Sequence, residues 1–509
     1  MRVTLKSGHP ANIFPGEEFL LVFRNLPQLA PILLANIKVE LMLRLYGPDA
    51  QASLAPNRRE MLRIGSLLAA GASLSDLYLS HARAAGEAAK PPTARSFGAA
   101  KNCILLYLSG GPPQHDTFDP KPDQPAEIRG EFSTIETSLP GVRVSEHLPL
   151  TSRWMHKIAQ VRSMCHSHND HARGSYWMFT GVPYLGSVAD ANNMTRQDMP
   201  HLGSCVAKIA PGNGLFPFAL SPHRMDVAGG RRVGQFAGML GSKYDPLLPG
   251  GDPNDDNYRV EQLPLAPNLP TEVLQRRLRL TEQIDHQVDY LRRTSAAASL
   301  RENQQKALEV MSSDAVRKAV DLSSVDRDQR ERYGRNLFGQ SVLLGRRLLD
   351  AGTRLVQCNW QRSQSKDGFA WDTHWNNFSA CKEDLIPPFD QAFSALLADL
   401  EQSGKLAETL VVVAGEFGRS PKITLKNGGR EHWPDVYTVL FAGAGIKPGE
   451  VYGQSDKQGA YPLENATSPA DFVATIYHLL GIDPHHEEHD QLNRPFALSK
   501  GNPITGIMV

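Results

Sequence analysis

The sequence predicts an α/β protein: a central, mostly parallel sheet flanked by helices, with a helical insertion. Three observations predict it. Continuous apolar runs of strand length end in glycine and polar residues, as a strand buried on both faces does when it enters a loop. In the C-terminal third those runs alternate with helical apolar spacing, the grammar of βαβ units and right-handed parallel connections. From about 264 to 350 the chain becomes rich in Leu, Arg, Gln, Glu and Ala and poor in Gly, as a helical insertion or cap beside the sheet requires.

The first hundred residues have another character. Arg58-Arg59 precede the small apolar run GSLLAAGASL (65–74), and Ala82-Arg83-Ala84 offers a small-residue cleavage site. Residues 58–84 therefore read as a twin-arginine export signal, against the alternative of an ordinary amphipathic helix, since Ser73, Ser75 and Asp76 weaken the apolar run. The run is too short and polar for a stable transmembrane span, which takes about 20 apolar residues. Residues 1–57 form an N-terminal extension, and a start at Met42 would bring the arginines closer to the beginning. Residues 85–102 read as a linker and 103–509 as the folded domain. The expected location is periplasmic or secreted, with the twin-arginine export machinery as a partner.

CILLYLSGG (103–111) is the first buried strand, and loops at such strand ends are where open α/β sheets bind ligands. Its loop, PPQHDTFDPKP, offers His115, Asp116 and Asp119 as candidate ligands, or else a solvated turn. KIAQVRSM (157–164) is a second strand, followed within a few residues by His166, His168, Asp170 and His171. Arg231-Arg232, beside Gly229-Gly230, suit either an anion contact or a plain surface loop. RRLLDAG ends a helix at Gly352, TRLVQCNW is a strand, LIPPFDQAFSALLADLEQSG a helix, and TLVVVAGEFG (409–418) a buried strand. VYTVLFAGAG (436–445) completes the set.

The polar residues fall at the ends of these strands. WDTHWNN (371–377) follows one strand, Glu416 ends the next, and REHWP (430–434) precedes the last. If the strands are parallel, Asp372, His374, Glu416 and His432 converge on one rim. In an extended Asp-x-His both side chains project the same way. Imidazole and carboxylate without thiolate suit a divalent ion, zinc or manganese best; calcium brings more carboxylates and fewer imidazoles. The five cysteines are widely spaced with no CxxC pair and an odd total, so neither a zinc knuckle nor a disulfide framework is indicated. With 54 basic and 54 acidic residues the chain has no net charge to mark a nucleic-acid partner.

LSGGPPQHDTFDPKP, NDHARGSYWMFTG, WDTHWNNF, AGEFGRSPKI, GREHWP, FAGAGIKPGEVYGQSD and SPADFVATIYHLLGID, in that order, closely resemble the bacterial family catalogued as domain of unknown function 1501. RREMLRIG is similar to that family's export leader. A more distant resemblance is to the alkaline phosphatase and sulfatase superfamily, whose members hydrolyse phosphate or sulfate esters with metals at the C-terminal rim of a mixed sheet. It implies that Asp372, His374 and His432 belong to a first metal site and that Glu416 replaces the aspartate of an Asp-His pair. It also implies that His171, ten residues before Gly181, stands at the nucleophile position, at a helix N-terminus suited to an anion. The sequence departs from the superfamily in having Gly110-Gly111 where acidic residues end the first strand, Phe417 for the partner histidine, and neither serine nor cysteine as nucleophile. His115 or Asp116 would then replace the lost acid, with His171 as ligand, general acid or nucleophile.

The implied activity is hydrolysis of a small-molecule or glycan ester. A metal would polarise the ester, Arg419 or Arg173 would neutralise the anion, and a histidine would handle protons. The rival expectations are a non-catalytic binder of sulfated or phosphorylated glycans around a structural ion, and a metal-dependent phosphomutase or isomerase.

Overall fold

The computed structural model describes residues 96–214, 216–227, 230–260, 276, 313–361, 370–424 and 428–509. The expected N-terminal extension, the expected export signal, most of the expected linker and much of the expected insertion lie outside the described residues.

Seven strands form the central sheet. In chain order they are β1 (Asn102–Tyr107), β2 (Ile158–Met164), β3 (Phe218–Ser221), β4 (Leu355–Asn359), β5 (Thr409–Ala414), β6 (Tyr437–Gly443) and β7 (Val451–Tyr452). Across the sheet they run β7-β2-β6-β5-β1-β4-β3. β1 is parallel to both β4 and β5, β3 to β4, and β7 to β2.

β6 corrects the expectation of a parallel last strand, for it is antiparallel to both β5 and β2. The described part of the connection from β5 to β6 holds no helix, only the two-residue ribbon Gly418–Arg419 with His432–Trp433. A parallel return needs a long crossover, usually helical; without one the chain turns back at the rim where β5 ends. Residues just before β6 therefore share a rim with residues just after β1, β4 and β5.

Helices cover both faces, which is why the strands are apolar throughout: every residue of β5 is buried. The period-two alternation of β1 divides the core. Ile104 and Leu106 join Val411, Val413 and Val356 under helices α3 (Leu337–Asp350) and α4 (Ile386–Gln402), through Leu343, Leu344, Leu396 and Leu397. Cys103, Leu105 and Tyr107 join Leu410 and Val412 under α1 (His171–Thr180), α2 (Leu202–Ile209) and α5 (Pro469–Leu479), through Phe179, Val206, Phe472 and Ile476. Each fully buried Leu, Val or Phe contributes about 1.5–3 kcal/mol.

The C-terminal end of the helix-rich stretch is thus a layer of the sheet fold. Gly345 permits the close approach of α3, because a Cβ there would lie 2.6 Å from Cys358 Sγ and 3.2 Å from Val356 Cγ1. Among the described residues no helix is long and apolar enough to cross a membrane.

Candidate metal centre

Four chain segments meet at the rim where β1 and β5 end. The loop after β1 supplies Gly110, whose φ of +115° a residue with a side chain rarely adopts. A Cβ there would stand 2.4 Å from Asp372 N, so this glycine allows the Trp371–Asp372 backbone to lie directly against the end of β1. Trp371 N–H donates to Ser109 O at 3.1 Å, and Arg430 N–H to Thr373 O at 3.0 Å, pinning Asp372 and His374 between two loops. The ribbon sets Arg419 opposite His432. His171 is the first residue of α1, capped by Asp170.

Three imidazoles surround the Asp372 carboxylate. His374 Nε2 and His432 Nε2 lie 3.0 and 3.1 Å from Oδ1 and 2.9 Å from each other. His171 Nε2 is 3.0 Å from Oδ2; it is buried and makes no hydrogen bond. In every ring Nδ1 faces another oxygen: Glu416 Oε1 for His171 at 2.6 Å, Glu431 Oε2 for His374 at 2.6 Å, and the Asn169 carbonyl for His432 at 3.2 Å. Nδ1–H donors to these acceptors leave three Nε2 lone pairs directed at a carboxylate. Lone pairs packed this closely repel unless a positive charge stands among them, either a proton or a metal ion. Outer carboxylates and carbonyls that fix ligand tautomers are the usual support of a histidine metal site.

The electrostatics follow from this packing. Burial works against the Asp372 anion, but the surrounding imidazoles prevail and hold its carboxyl well below the usual range. The Asp372 hydrogen bond raises the His374 pKa above its ordinary value, whereas burial lowers that of His432, helped by the charges of His171 and Arg419. Glu416 is completely buried. Its desolvation is outweighed by the His171 hydrogen bond and the charges of His171 and Arg232, so its pKa is depressed.

The structure brings together Asp372, His374, His432 and His171, and ligand atoms of His171, Asp372 and His432 lie within 4.8 Å of one another. The other expected residues have partners of their own. Glu416, expected as a ligand, orients His171 and accepts the Gly110 N–H at 2.9 Å. Asp116 lies outside the cluster, because Arg430 grips both its oxygens at 2.8 and 3.2 Å and Asn377 donates to it at 2.9 Å. His115 is likewise absent: its Nε2 meets Gln458 O at 2.7 Å, and burial lowers its pKa to about 4. Asp119 binds Lys121 and Ser455.

Both arginines expected to neutralise an anion are paired within the protein. Arg173 turns back to Asp170 at 2.5 Å. Arg419, with a wholly buried side chain, bonds Asp372 Oδ1 at 2.5 Å and the carbonyls of Gly110, Gly111 and Arg430. Its role is to position Asp372. His166 serves the scaffold, meeting Glu416 O at 2.6 Å and accepting the His168 N–H at 3.1 Å. Sequence reasoning missed Glu431 and the Asn169 carbonyl; adjacency of Glu431 to His432 was its only signal.

The residues present fit a divalent ion: the imidazole nitrogens of His171 and His432 and the carboxylate of Asp372, with His374 beside them, each fixed from behind, with no thiolate. A helix-covered sheet with such a rim defines the class, an α/β protein with a candidate metal centre at the C-terminal ends of its parallel strands. Within that class the chain belongs to the family described as protein of unknown function (DUF1501), which it matches over residues 100–508.

None of the curated proteins matches it. Among solved structures it is similar to the PsFucS1 sulfatase from Pseudoalteromonas sp., at 12% identity over 75% of this chain and 68% of that one, with a TM-score of 0.35. It is also similar to the phosphonate monoester hydrolase SpPMH from Silicibacter pomeroyi, at 11% identity, 80% and 76% coverage and a TM-score of 0.35. A protein in the alkaline phosphatase superfamily from Vibrio parahaemolyticus shows 11% identity, 76% and 69% coverage and a TM-score of 0.32.

Proposed function

We propose that the protein is an exported, metal-dependent hydrolase of sulfate or phosphate esters carried by a small molecule or a glycan. The observation that carries this reading is the convergence of three Nε2 atoms on one carboxylate with every Nδ1 already committed. Asp372, His171 and His432, with His374 beside them, would hold the ion. A divalent ion there would supply the Lewis acidity that ester hydrolysis needs.

The remaining work falls to the chain itself. Arg419 keeps Asp372 ionised and aimed. Glu416 keeps the His171 proton on Nδ1 and its lone pair on Nε2. Glu431, 56% exposed at its side chain, joins His374 Nδ1 to solvent and gives a proton a way out. α1 begins at His171, so its positive dipole end lies at the centre and favours an anionic ester.

The test is elemental analysis of the purified protein together with turnover of aryl sulfates and aryl phosphates. Bound zinc or manganese, hydrolysis of at least one ester class, and loss of both in Asp372→Asn are expected. Absence of metal overturns the reading. One observation favours a second reading, a glycan binder around a structural ion: Arg419 is wholly engaged by the protein, which leaves it nothing for a transition state. Metal bound without turnover of any ester would select that alternative.

A further inference from the structure

We infer that the centre takes one divalent ion per chain, because Arg232 and Phe417 occupy the side from which a second would be held; this rests on the metal-centre reading above. Two-ion hydrolytic centres place their ions about 3.5–4 Å apart and share ligands between them. A second ion on the Glu416 side of His171 would need donors there.

What stands there is not a donor set. Glu416 Oε1 already faces His171 Nδ1 at 2.6 Å and the Gly110 N–H at 2.9 Å. Oε2 has no hydrogen-bond partner, but it is a single oxygen, and the His171 nitrogen on that side is the one committed to Oε1. The loop after β1 contributes Gly110 and Gly111, which bring no side chain. The Phe417 ring is wholly buried, with its centroid 5.0 Å from that of His171 and 4.5 Å from that of His432. It also fills the space beside Gly111, where a Cβ would come within 2.7 Å of Phe417 Cδ2.

The charges agree with the packing. The buried guanidinium of Arg232 lies 3.9 Å from Glu416 Oε1 and is fixed there against Ser175 Oγ at 3.5 Å. Arg419 lies 2.5 Å from Asp372 Oδ1. Each carboxylate that a pair of ions would share therefore has a built-in cation beside it, and a second divalent charge would face repulsion from Arg232 without gaining imidazole ligands. Among the described residues no other histidine or carboxylate completes a second set around Glu416.

The experiment is stoichiometry. The full chain is saturated with Mn2+, freed of excess by gel filtration, and measured by elemental analysis and by electron paramagnetic resonance. One manganese per chain with the spectrum of an isolated ion is expected. Two per chain, or a spin-coupled spectrum, overturns the one-ion assignment while leaving the hydrolase reading intact. No bound manganese or zinc overturns both. In Arg232→Ala, shown folded by its near-ultraviolet circular dichroism, a single equivalent is again expected, because Glu416 Oε2 has no further donors around it. A second equivalent in that folded variant overturns the account of the donors on this side.

Discussion

Gly110→Ala probes how β1 holds the centre. The added Cβ would lie 2.4 Å from Asp372 N, 2.6 Å from Trp371 C and 2.7 Å from Trp371 N, backbone against backbone, so no side chain can swing away to relieve it. Reaching an ordinary contact of 3.4 Å requires Asp372 to move by about 1 Å. The φ of +115° adds strain of about 1–3 kcal/mol for a residue with a side chain. Overpacking adds about 1–3 kcal/mol. The expected destabilisation is therefore about 2–6 kcal/mol, read as a lower urea midpoint. Displacing Asp372 from His374, His432 and Arg419 also loosens a ligand from its support, which lowers metal affinity on the order of 10–100-fold. Chelator competition with Mn2+ measures that loss. If Gly110→Ala unfolds at the wild-type urea concentration and binds Mn2+ with wild-type affinity, the argument that this glycine seats Asp372 is refuted.

Arg419→Met leaves Asp372 without its buried partner and three carbonyls without a donor, so a loss of roughly 3–5 kcal/mol in urea unfolding is expected; less than 1 kcal/mol would contradict the positioning role. His201 is completely buried, and burial pushes its pKa from 6.5 down to about 3. The unfolded chain takes up that proton first, so stability is fully present above pH 6.5 and is lost as pH falls toward 3, by about 4–5 kcal/mol at most. In His201→Gln the dependence of unfolding free energy on pH between 6.5 and 4 should lose about one proton's worth of slope; an unaltered slope would count against it. Gly345→Ala should cost about 1–3 kcal/mol by crowding Cys358, and adding Cys358→Ala should recover part of it in a double-mutant cycle; additive losses would show that the contact is not the cause.

The local sequence determined the covered sheet, the strands and the chemistry of the ligands. Runs such as CILLYL and TLVVVA are apolar at every position, which only burial on both faces explains, and the polar residues that follow them had to fall at a rim. Asp372, His374 and His432 were legible for that reason, as residue types at strand ends. Their partners were not. Glu416 was visible as an acid at the end of β5, but whether it meets an ion or the back of a histidine depends on Gly110, 306 positions away. Arg419 and Asp116 were ambiguous in the same way: a charged residue in a polar loop shows its charge in the sequence and its partner only in the fold. Asp116 finds Arg430 at a separation of 314 residues, and both are withdrawn from chemistry by that pairing. The direction of β6 was also decided by tertiary structure, since an apolar run does not state its direction, and a return from β5 with no helix among its described residues leads into an antiparallel strand. Burial is a property of each segment and is written along the chain. Which donor meets which acceptor across a turned rim is a property of distances, and those exist only once the sheet has formed.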